Sequence, residues 1–410
     1  MSSKKGTYSR RDFLKTAGAI GVGSMLSTIE SMTNAQESSN PNGSPVNVVP
    51  TRPFGKTGVD VSILSLGGAF HYSNLLLVKQ ALNMGVTYWD TSPGYGGGQS
   101  EAGIGKYFKK FPEDRKKVFL VTKTDTSDPT YMTKSLNQSL ESMNTSFVDL
   151  YFLHGISYPE EADKQIKAWA DETKSEGKIR FFGFSTHSNM EECLIGAAKL
   201  GWIDGIMLTY NFRVMHSDRM KKAVDDCYRA GIGLTAMKTQ STGWGTKRGP
   251  LNDKERALLN RFEKKGLSTG QAKLKAVWDD DRIASICAHM TNMKYLSENA
   301  SAAMDNKKLS DLDIDYLKDY ARKTASSYCA GCKHICEPFM DGKVPVSDVM
   351  RYLMYSRCYG ESERAKSAFK ELPSEVRGRM AVMDFRDAEN RCPQGMPIGR
   401  LMREAVIELA

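Results

Sequence analysis

The chain has 410 residues, of which 40% are hydrophobic and 26% are charged, and its formal net charge is +9. These values are ordinary for a soluble globular protein. Residues 1–35 hold five basic and two acidic side chains, which leaves about +6 for the rest of the chain. No basic stripe with interleaved aromatic residues is present, so the composition indicates no nucleic-acid partner.

The N-terminal segment has the three parts of a signal peptide. The charged stretch around Arg10-Arg11 precedes a mildly apolar run from Thr16 to about Leu26, which is shorter than the ~20 residues of a membrane span. Small residues follow and end at Ala35, so residues 1–35 are predicted to be a signal peptide. A basic disordered tail and a Sec-type signal are the alternatives.

The arginine pair within this segment resembles the twin-arginine export signal of bacteria. This resemblance implies the twin-arginine export machinery as a partner and a periplasmic or exported location. The protein would stay tethered to the membrane if the signal were not cut. Residues 36–50 are polar and contain Pro, Gly and Ser, and they are predicted to be a linker.

Residues 51–308 alternate short apolar runs with amphipathic stretches. Near-continuous apolar runs suit strands that are buried on both faces of a parallel sheet. Eight such units in about 250 residues favour an α/β fold of the TIM (β/α)8 barrel type. A doubly wound open sheet is the alternative, but it is expected to begin with a glycine-rich phosphate fingerprint, which Leu66-Gly67-Gly68 is not. The eight runs are SILSLGG, VTYWD, VFLVTK, VDLYFLH, IRFFGFS, GIMLTYN, IGLTAMK and IASICAH. After the seventh run, residues 241–270 are predicted to be a long loop over the barrel mouth.

Polar residues follow the predicted strands at the end where barrel enzymes build their active sites. Asp90, Lys123 and His154 close the second, third and fourth strands, and Tyr95 stands just beyond Asp90. Here the chain resembles the aldo/keto reductases from about Arg52 to Asn306. The strings that carry the resemblance are FGKTGVDVSILSLGG, YWDTSPGYGGGQSEAGIGKYF, VFLVTK, VDLYFLHG and GKIRFFGFSTH.

The resemblance implies a catalytic role for each of these four residues. Tyr95 would donate a proton to the alkoxide that forms when a carbonyl accepts hydride. Lys123 would lower the pKa of that tyrosine and stabilise its phenolate, and Asp90 would hold Lys123 charged and oriented. His154 would donate a hydrogen bond to the carbonyl oxygen of the substrate.

The same resemblance implies a nicotinamide cofactor, NAD or NADP. The positions that match cofactor contacts are Ser185, Asn211, Lys238 and Asn299. Lys238 would either reach the pyrophosphate or remain solvated. The chain departs from the family pattern at Thr186, Met207 and Met237, which stand where Asn, Gln and a stacking Tyr are usual.

Four cysteines near the C-terminus form a ferredoxin-like pattern, Cys329-x2-Cys332-x3-Cys336 followed by Cys392-Pro393. In two-cluster ferredoxins the fourth cysteine of each run binds the other cluster. Under this rule the four cysteines are the ligands of one 4Fe–4S cluster. The ligand positions of the second cluster are the apolar residues Met340, Val382, Phe385 and Ala388. Zinc and disulfides are the alternatives.

Residues 309–410 lose the strand–helix alternation and are predicted to be a helical, cluster-binding region. Two functions fit the whole pattern. The first is an exported oxidoreductase that acts on a small-molecule carbonyl or alcohol, with the cluster either exchanging electrons with a redox partner or holding the C-terminal region in place. The second is a redox or binding protein that uses an inherited barrel without nicotinamide-dependent turnover.

Overall fold

A computed structural model describes residues 48–68, 72–240, 253–340 and 344–410 of the chain. The predicted signal peptide lies outside these residues. Eight parallel strands close into a barrel in which each strand pairs with the next along the chain and the last pairs with the first. The TIM-barrel prediction is therefore confirmed. The barrel strands are β3 (Leu64–Gly67), β4 (Tyr88–Asp90), β5 (Phe119–Thr124), β6 (Val148–Ile156), β7 (Ile179–Thr186), β8 (Gly205–Thr209), β9 (Gly233–Met237) and β10 (Ser285–Ala288).

The strands form where the sequence is apolar and β-branched or aromatic over a few residues. Every residue of β3, β4, β5 and β8 is buried, because one face of each strand lines the barrel interior and the other lies under the helices. Each of the eight predicted runs overlaps one of these strands, and β5, β6 and β7 extend one or two residues beyond their runs. The helices of this part are α1 (Leu75–Asn83), α2 (Gln99–Lys110), α3 (Pro129–Ser142), α4 (Lys164–Ser175), α5 (Met190–Leu200), α6 (Asp218–Arg229), α7 (Asp253–Glu263), α8 (Thr269–Trp278) and α9 (Met293–Met304).

A short antiparallel hairpin precedes the barrel and was not predicted. It consists of β1 (Thr51–Pro53) and β2 (Asp60–Ser62), and its turn buries Phe54 completely. A Cβ atom at Gly233, the first residue of β9, would lie 2.5 Å from the Phe54 ring. Phe54 therefore closes the end of the barrel at which the strands begin. The opposite mouth is left for chemistry.

The predicted loop over residues 241–270 is wrong in its second half. Helix α7 begins at Asp253, and Leu258 and Phe262 on one of its faces are buried. The polar and charged composition of this segment reflects the outer face of an amphipathic helix. Residues 241–252 lie outside the described residues.

The C-terminal region is helical and packs on the barrel within one compact unit, Val48–Ala410. Buried Arg357 joins two of its helices by ion pairs to Glu404 (2.8 Å) and Glu408 (2.9 Å). In the described ranges no helix is both long and apolar enough to cross a membrane. The helices are α10 (Asp311–Lys323), α11 (Lys333–Cys336), α12 (Val346–Tyr359), α13 (Ser362–Lys370), α14 (Ser374–Val382), α15 (Arg386–Arg391) and α16 (Ile398–Leu409).

Candidate active site

A buried ion pair stands at the mouth of the barrel. Lys123 Nζ, at the end of β5, lies 2.6 Å from Asp90 Oδ1, at the end of β4, and also donates to the carbonyl of Thr91 at 2.7 Å. The two residues are only 1% and 2% exposed. Burial is the largest single effect and lowers the pKa of Lys123, but the charges of Asp90 and Tyr95 and the hydrogen bond to Asp90 together raise it above its ordinary value, so the ammonium stays protonated.

Tyr95 lies above this pair on the turn between β4 and α2. Lys123 Nζ is 4.8 Å from the centre of its ring. Gly96 and Gly97 adopt φ of 58° and 61°, a conformation that lets the chain turn tightly after Tyr95. The pKa of Tyr95 is raised to about 12 because burial outweighs the lowering effects of Lys123 and Arg364. Lys123 therefore acts in the predicted direction, but the net shift of the tyrosine is upward.

His154 lies beside Tyr95, with 6.0 Å between the ring centres. Its Nδ1 is 2.6 Å from Asp125 Oδ1. Burial lowers the pKa of His154, so the imidazole is neutral near pH 7. A neutral ring that donates Nδ1–H to Asp125 carries a lone pair on Nε2. In that state His154 accepts a hydrogen bond from a hydroxyl. It donates to a carbonyl oxygen, as predicted from the sequence, only after it takes up a second proton.

The four predicted nicotinamide contacts are already bonded within the protein. Ser185 Oγ accepts the Gly155 amide (3.0 Å), and Asn299 Oδ1 accepts Gln240 Nε2 (3.1 Å). Asn211 Nδ2 donates to the hydroxyl of Tyr328 (2.9 Å) and to the carbonyl of Lys238 (3.2 Å). The structure therefore places these residues around the mouth, each with a hydrogen-bond partner within the protein.

The C-terminal region covers this side of the mouth. Tyr328 is buried against Asn211, and Ser347 Oγ lies 3.0 Å from Ser188 Oγ in the loop after β7. Gly331 has φ of +80°, and a Cβ atom there would lie 2.3 Å from the carbonyl oxygen of His187. Only glycine permits this close approach of the two loops.

The four predicted metal ligands line one small cavity in the C-terminal region. Cys329, Cys332 and Cys336 reach it from the segment before and within α11, and Cys392 reaches it from the end of α15. Apolar side chains complete the wall, among them Val346, Met350, Met396 and Ile398. Burial raises the pKa of the first three thiols, to about 11 for Cys332 and about 12 for Cys336.

The proposed positions of a lost second cluster do not share one environment. Met340, Phe385 and Ala388 are buried in the apolar core, whereas Val382 is 85% exposed. His334, inside the cysteine run, bonds through its backbone amide and its Nδ1 to Asn189 Oδ1. It therefore ties the cysteine loop to the barrel.

Sequence reasoning missed several residues at the mouth. Asp125, the partner of His154, lies two residues after Lys123. Residues two apart in a strand point to the same face, so this spacing could have predicted that Asp125 lies at the mouth beside Lys123. Arg364 of α13 lies 5.6 Å from the Tyr95 ring centre. Nothing in the sequence signals Arg364, because α13 reaches the mouth only through the fold of the C-terminal region.

A closed parallel barrel with a buried Lys–Asp pair, a tyrosine and a histidine at its mouth defines a class of α/β-barrel oxidoreductases. Residues 71–322, more than half of the chain, match the family model described as aldo/keto reductase family. The chain therefore belongs to the aldo/keto reductase family. Part of the C-terminal region, including all four predicted cluster ligands, lies outside the match.

The proteins to which this chain is similar have low sequence identity to it, and the fraction of each chain that aligns differs from one to the next. L-galactose dehydrogenase of Arabidopsis thaliana is 24% identical over 64% of this chain and 92% of its own length. The NADP(+) aldo-keto reductase yakc of Schizosaccharomyces pombe is 31% identical, but over 33% of this chain and 42% of its own length. In structure, aldo-keto reductase AKR11C1 of Bacillus halodurans has a TM-score of 0.54 and 20% identity over 66% of this chain and 96% of its own, a likeness of fold.

Proposed function

We propose that this protein is an exported oxidoreductase that interconverts a small-molecule carbonyl and the corresponding alcohol, and that it carries one 4Fe–4S cluster. The observation that carries the proposal is the buried Lys123–Asp90 pair beneath Tyr95, with His154 beside it. Each side chain has a use in moving one proton at a carbonyl oxygen. Family membership supports the class of reaction.

The four residues divide the work. Tyr95 holds the transferable proton, since its raised pKa keeps the phenol protonated at neutral pH. Lys123 stabilises the phenolate that remains after transfer, and Asp90 keeps Lys123 charged in a buried site. His154, held by Asp125, accepts a hydrogen bond at Nε2 from the hydroxyl of the alcohol form of the substrate.

The cysteine cavity fits an iron–sulfur cluster. Thiolates are the usual ligands of such clusters, and four thiols from two separate segments surround one enclosed space. A single zinc ion with four thiolates would hold the sulfur atoms about 3.8 Å apart, given Zn–S bonds of about 2.3 Å. Among the described residues no three Cys, His, Asp or Glu side chains are close enough to share one ion. The support for a multi-iron cluster is the donor set, four cysteines in a ferredoxin-like sequence pattern around one cavity, and such a cluster would supply one-electron transfer when bound.

A nicotinamide dinucleotide does not fit the described arrangement. Two side chains of the C-terminal region stand against the predicted contacts: Asn211 donates to the hydroxyl of Tyr328 at 2.9 Å, and Lys238 Nζ lies 5.5 Å from the centre of the Tyr355 ring. This observation favours the second candidate function, a redox or binding protein that uses the barrel without nicotinamide-dependent turnover. Electrons would then enter through the cluster from a redox partner.

Anaerobically purified full-length protein separates the two candidates. Carbonyl reduction is measured once with NADPH and once with dithionite-reduced viologen, in the native protein and in Tyr95→Phe. The oxidoreductase proposal expects turnover with at least one donor and a loss of about 10² to 10⁴ in Tyr95→Phe. A reducible cluster with no turnover from either donor would leave only the second candidate.

The cluster itself is tested with Cys332→Ser. This variant should lose bound iron, sulfide and visible absorption, whereas Cys227→Ser, at a buried cysteine between α5 and α6, should retain them. Equal iron and sulfide contents in both variants would contradict the ligand assignment.

Export is proposed from the arginine pair and is tested by cell fractionation. Replacing Arg10 and Arg11 with lysine should leave the protein in the cytoplasm, because the twin-arginine signal is read by its own machinery. Unchanged export of this variant would favour the Sec-type alternative.

A further inference from the structure

A second small cavity lies where the C-terminal region covers the barrel mouth. Its walls include His187 and Lys238 from the barrel and Tyr328, Cys329 and Arg351 from the C-terminal region. The cavity has a volume of about 30 Å³. Because one water needs roughly 10–15 Å³ by this measure, the space suits a carboxylate or phosphate group better than a bulky one. The lining residues include one lysine and one arginine and no Asp or Glu.

Lys238 reaches this cavity without a counter-charge. Its Nζ lies 3.1 Å from His187 Nδ1 and 5.5 Å from the centre of the Tyr355 ring, and no ion pair found among the described residues involves it. The backbone at Lys238 has φ of +57°, which is rare outside glycine and tends to be kept at functional sites. Residues 241–252, which follow closely in sequence, contain no acidic residue.

Arg351 has an N–H group that makes no hydrogen bond with the described residues. One of its terminal nitrogens donates to Asp348 at 2.6 Å, but its buried Nε has no hydrogen-bond partner within the described part of the chain. A buried N–H group without a partner is costly and usually marks a place for a ligand or water. The planar guanidinium suits a carboxylate or phosphate, which can accept two N–H groups at once.

The cavity is connected to the catalytic residues through the C-terminal region. Tyr355, whose ring faces Lys238, also lies 4.5 Å from Arg364, and Arg364 lies 5.6 Å from the Tyr95 ring centre. Burial and then the charges of Arg351 and Arg364 lower the pKa of Lys238 well below its usual range. A bound anion would favour the protonated form of Lys238.

We infer that this cavity binds the anionic group, a carboxylate or a phosphate, of a small ligand between Lys238 and Arg351, and that the carbonyl substrate carries this group. The second half of the inference rests on the proposed oxidoreductase function. The C-terminal region thus turns a mouth suited to a long dinucleotide into a site for a small anion.

The test measures binding and turnover separately in full-length, anaerobically purified protein. Calorimetry compares pyruvate and inorganic phosphate with acetone, a neutral ketone, at constant ionic strength. Saturable binding of pyruvate or phosphate, and none of acetone, is expected. Pyruvate binding points to carboxylate substrates, and binding of phosphate alone points to phosphate esters.

Two substitutions test the two cations. Lys238→Met and Arg351→Met should each weaken anion binding by about tenfold or more, since each removes a charged hydrogen-bond donor. Arg351→Lys should restore part of the loss. Lys199→Met, at an exposed lysine of α5, is the matched control and should bind as the native protein does.

The outcomes distinguish the site from the reaction. Tyr95→Phe should bind the anion as the native protein does but should lose turnover. If the native protein binds the anion and shows no turnover, the proposed oxidoreductase function is refuted and the proposed anion site is supported. The site itself is overturned if neither anion binds, or if Lys238→Met and Arg351→Met bind as tightly as the native protein. It is also overturned if Lys238→Met changes the potential of the cluster but not anion binding, because Lys238 would then balance the charge at Cys329.

Discussion

Replacing Lys123 with methionine should destabilise the protein strongly, because burial already raises the pKa of Asp90 and the substitution leaves its carboxyl group buried without its partner. Both residues are almost fully buried, and removing one partner of such a pair costs about 3–5 kcal/mol. With a urea m-value of about 3 kcal/mol/M, the unfolding midpoint should fall by about 1–1.7 M. Urea unfolding of the full chain, followed by circular dichroism, measures the shift.

A double-mutant cycle shows whether the cost comes from the pair. Asp90→Asn with Lys123→Met removes both charges, so the double variant should be more stable than the sum of the single losses by at least about 2 kcal/mol. Lys167→Met, in the half-exposed pair with Asp171, is the control and should cost less than about 1 kcal/mol. Additive losses at Lys123 and Asp90, or a Lys123 loss as small as that of the control, would refute the reasoning.

Three further variants and conditions test other parts of the structure. Because burial raises the pKa of Tyr95 to about 12, Tyr95 should keep its proton, and the rate of carbonyl reduction should stay level, between pH 7 and about 10. A decrease of the rate in this range, with a midpoint pH that shifts when residues near Tyr95 are substituted, would contradict the assignment of Tyr95 as proton donor. Burial lowers the pKa of His154 in the folded protein, so as pH falls the unfolded chain takes up a proton at this residue first. The contribution of His154 to the free energy of unfolding should be constant above about pH 6.5 and should decrease as pH falls from there through the folded-state pKa of His154. His154→Gln should remove this part of the pH dependence, as measured by thermal unfolding. Gly331→Ala should weaken the docking of the C-terminal region on the loop at His187, seen as faster amide exchange there, whereas Gly378→Ala, which meets nothing within 4 Å, should not.

The barrel could be predicted because its strands are local, buried and regularly spaced. Each apolar run predicts one strand, and the order of neighbouring parallel strands follows from the short right-handed connections between them. The same logic places Asp90, Lys123 and His154 together, since parallel strands end at one mouth. The hairpin at Thr51–Ser62 was missed because its strands have three residues each, too few to show an alternating pattern.

The covering of the mouth could not be read from the sequence in the same way. Tyr328 meets Asn211 across 117 residues, and the periodicity within either segment carries no information about that contact. The resemblance implied a cofactor contact for Asn211, which follows β8 at the rim of the barrel, but it could not say what Asn211 faces. A match to a family motif predicts where a side chain lies in the fold. The group that this side chain binds also depends on the neighbouring residues that the rest of the chain brings to the same place.

This distinction bears on the choice between the two candidate functions. The predicted catalytic residues and the predicted cofactor contacts lie at the same mouth, and the C-terminal region bonds Asn211 through Tyr328 while it leaves Tyr95 and His154 half-buried. If the region served only to hold a cluster, it would have no need to bring Arg364 to the Tyr95 ring or Arg351 to Lys238. Both arginines are positioned by helices that follow the first three cysteines. The cysteine region and the barrel mouth are therefore packed against each other, so under the proposed function a change in the folding of the cysteine region should also alter binding at the mouth.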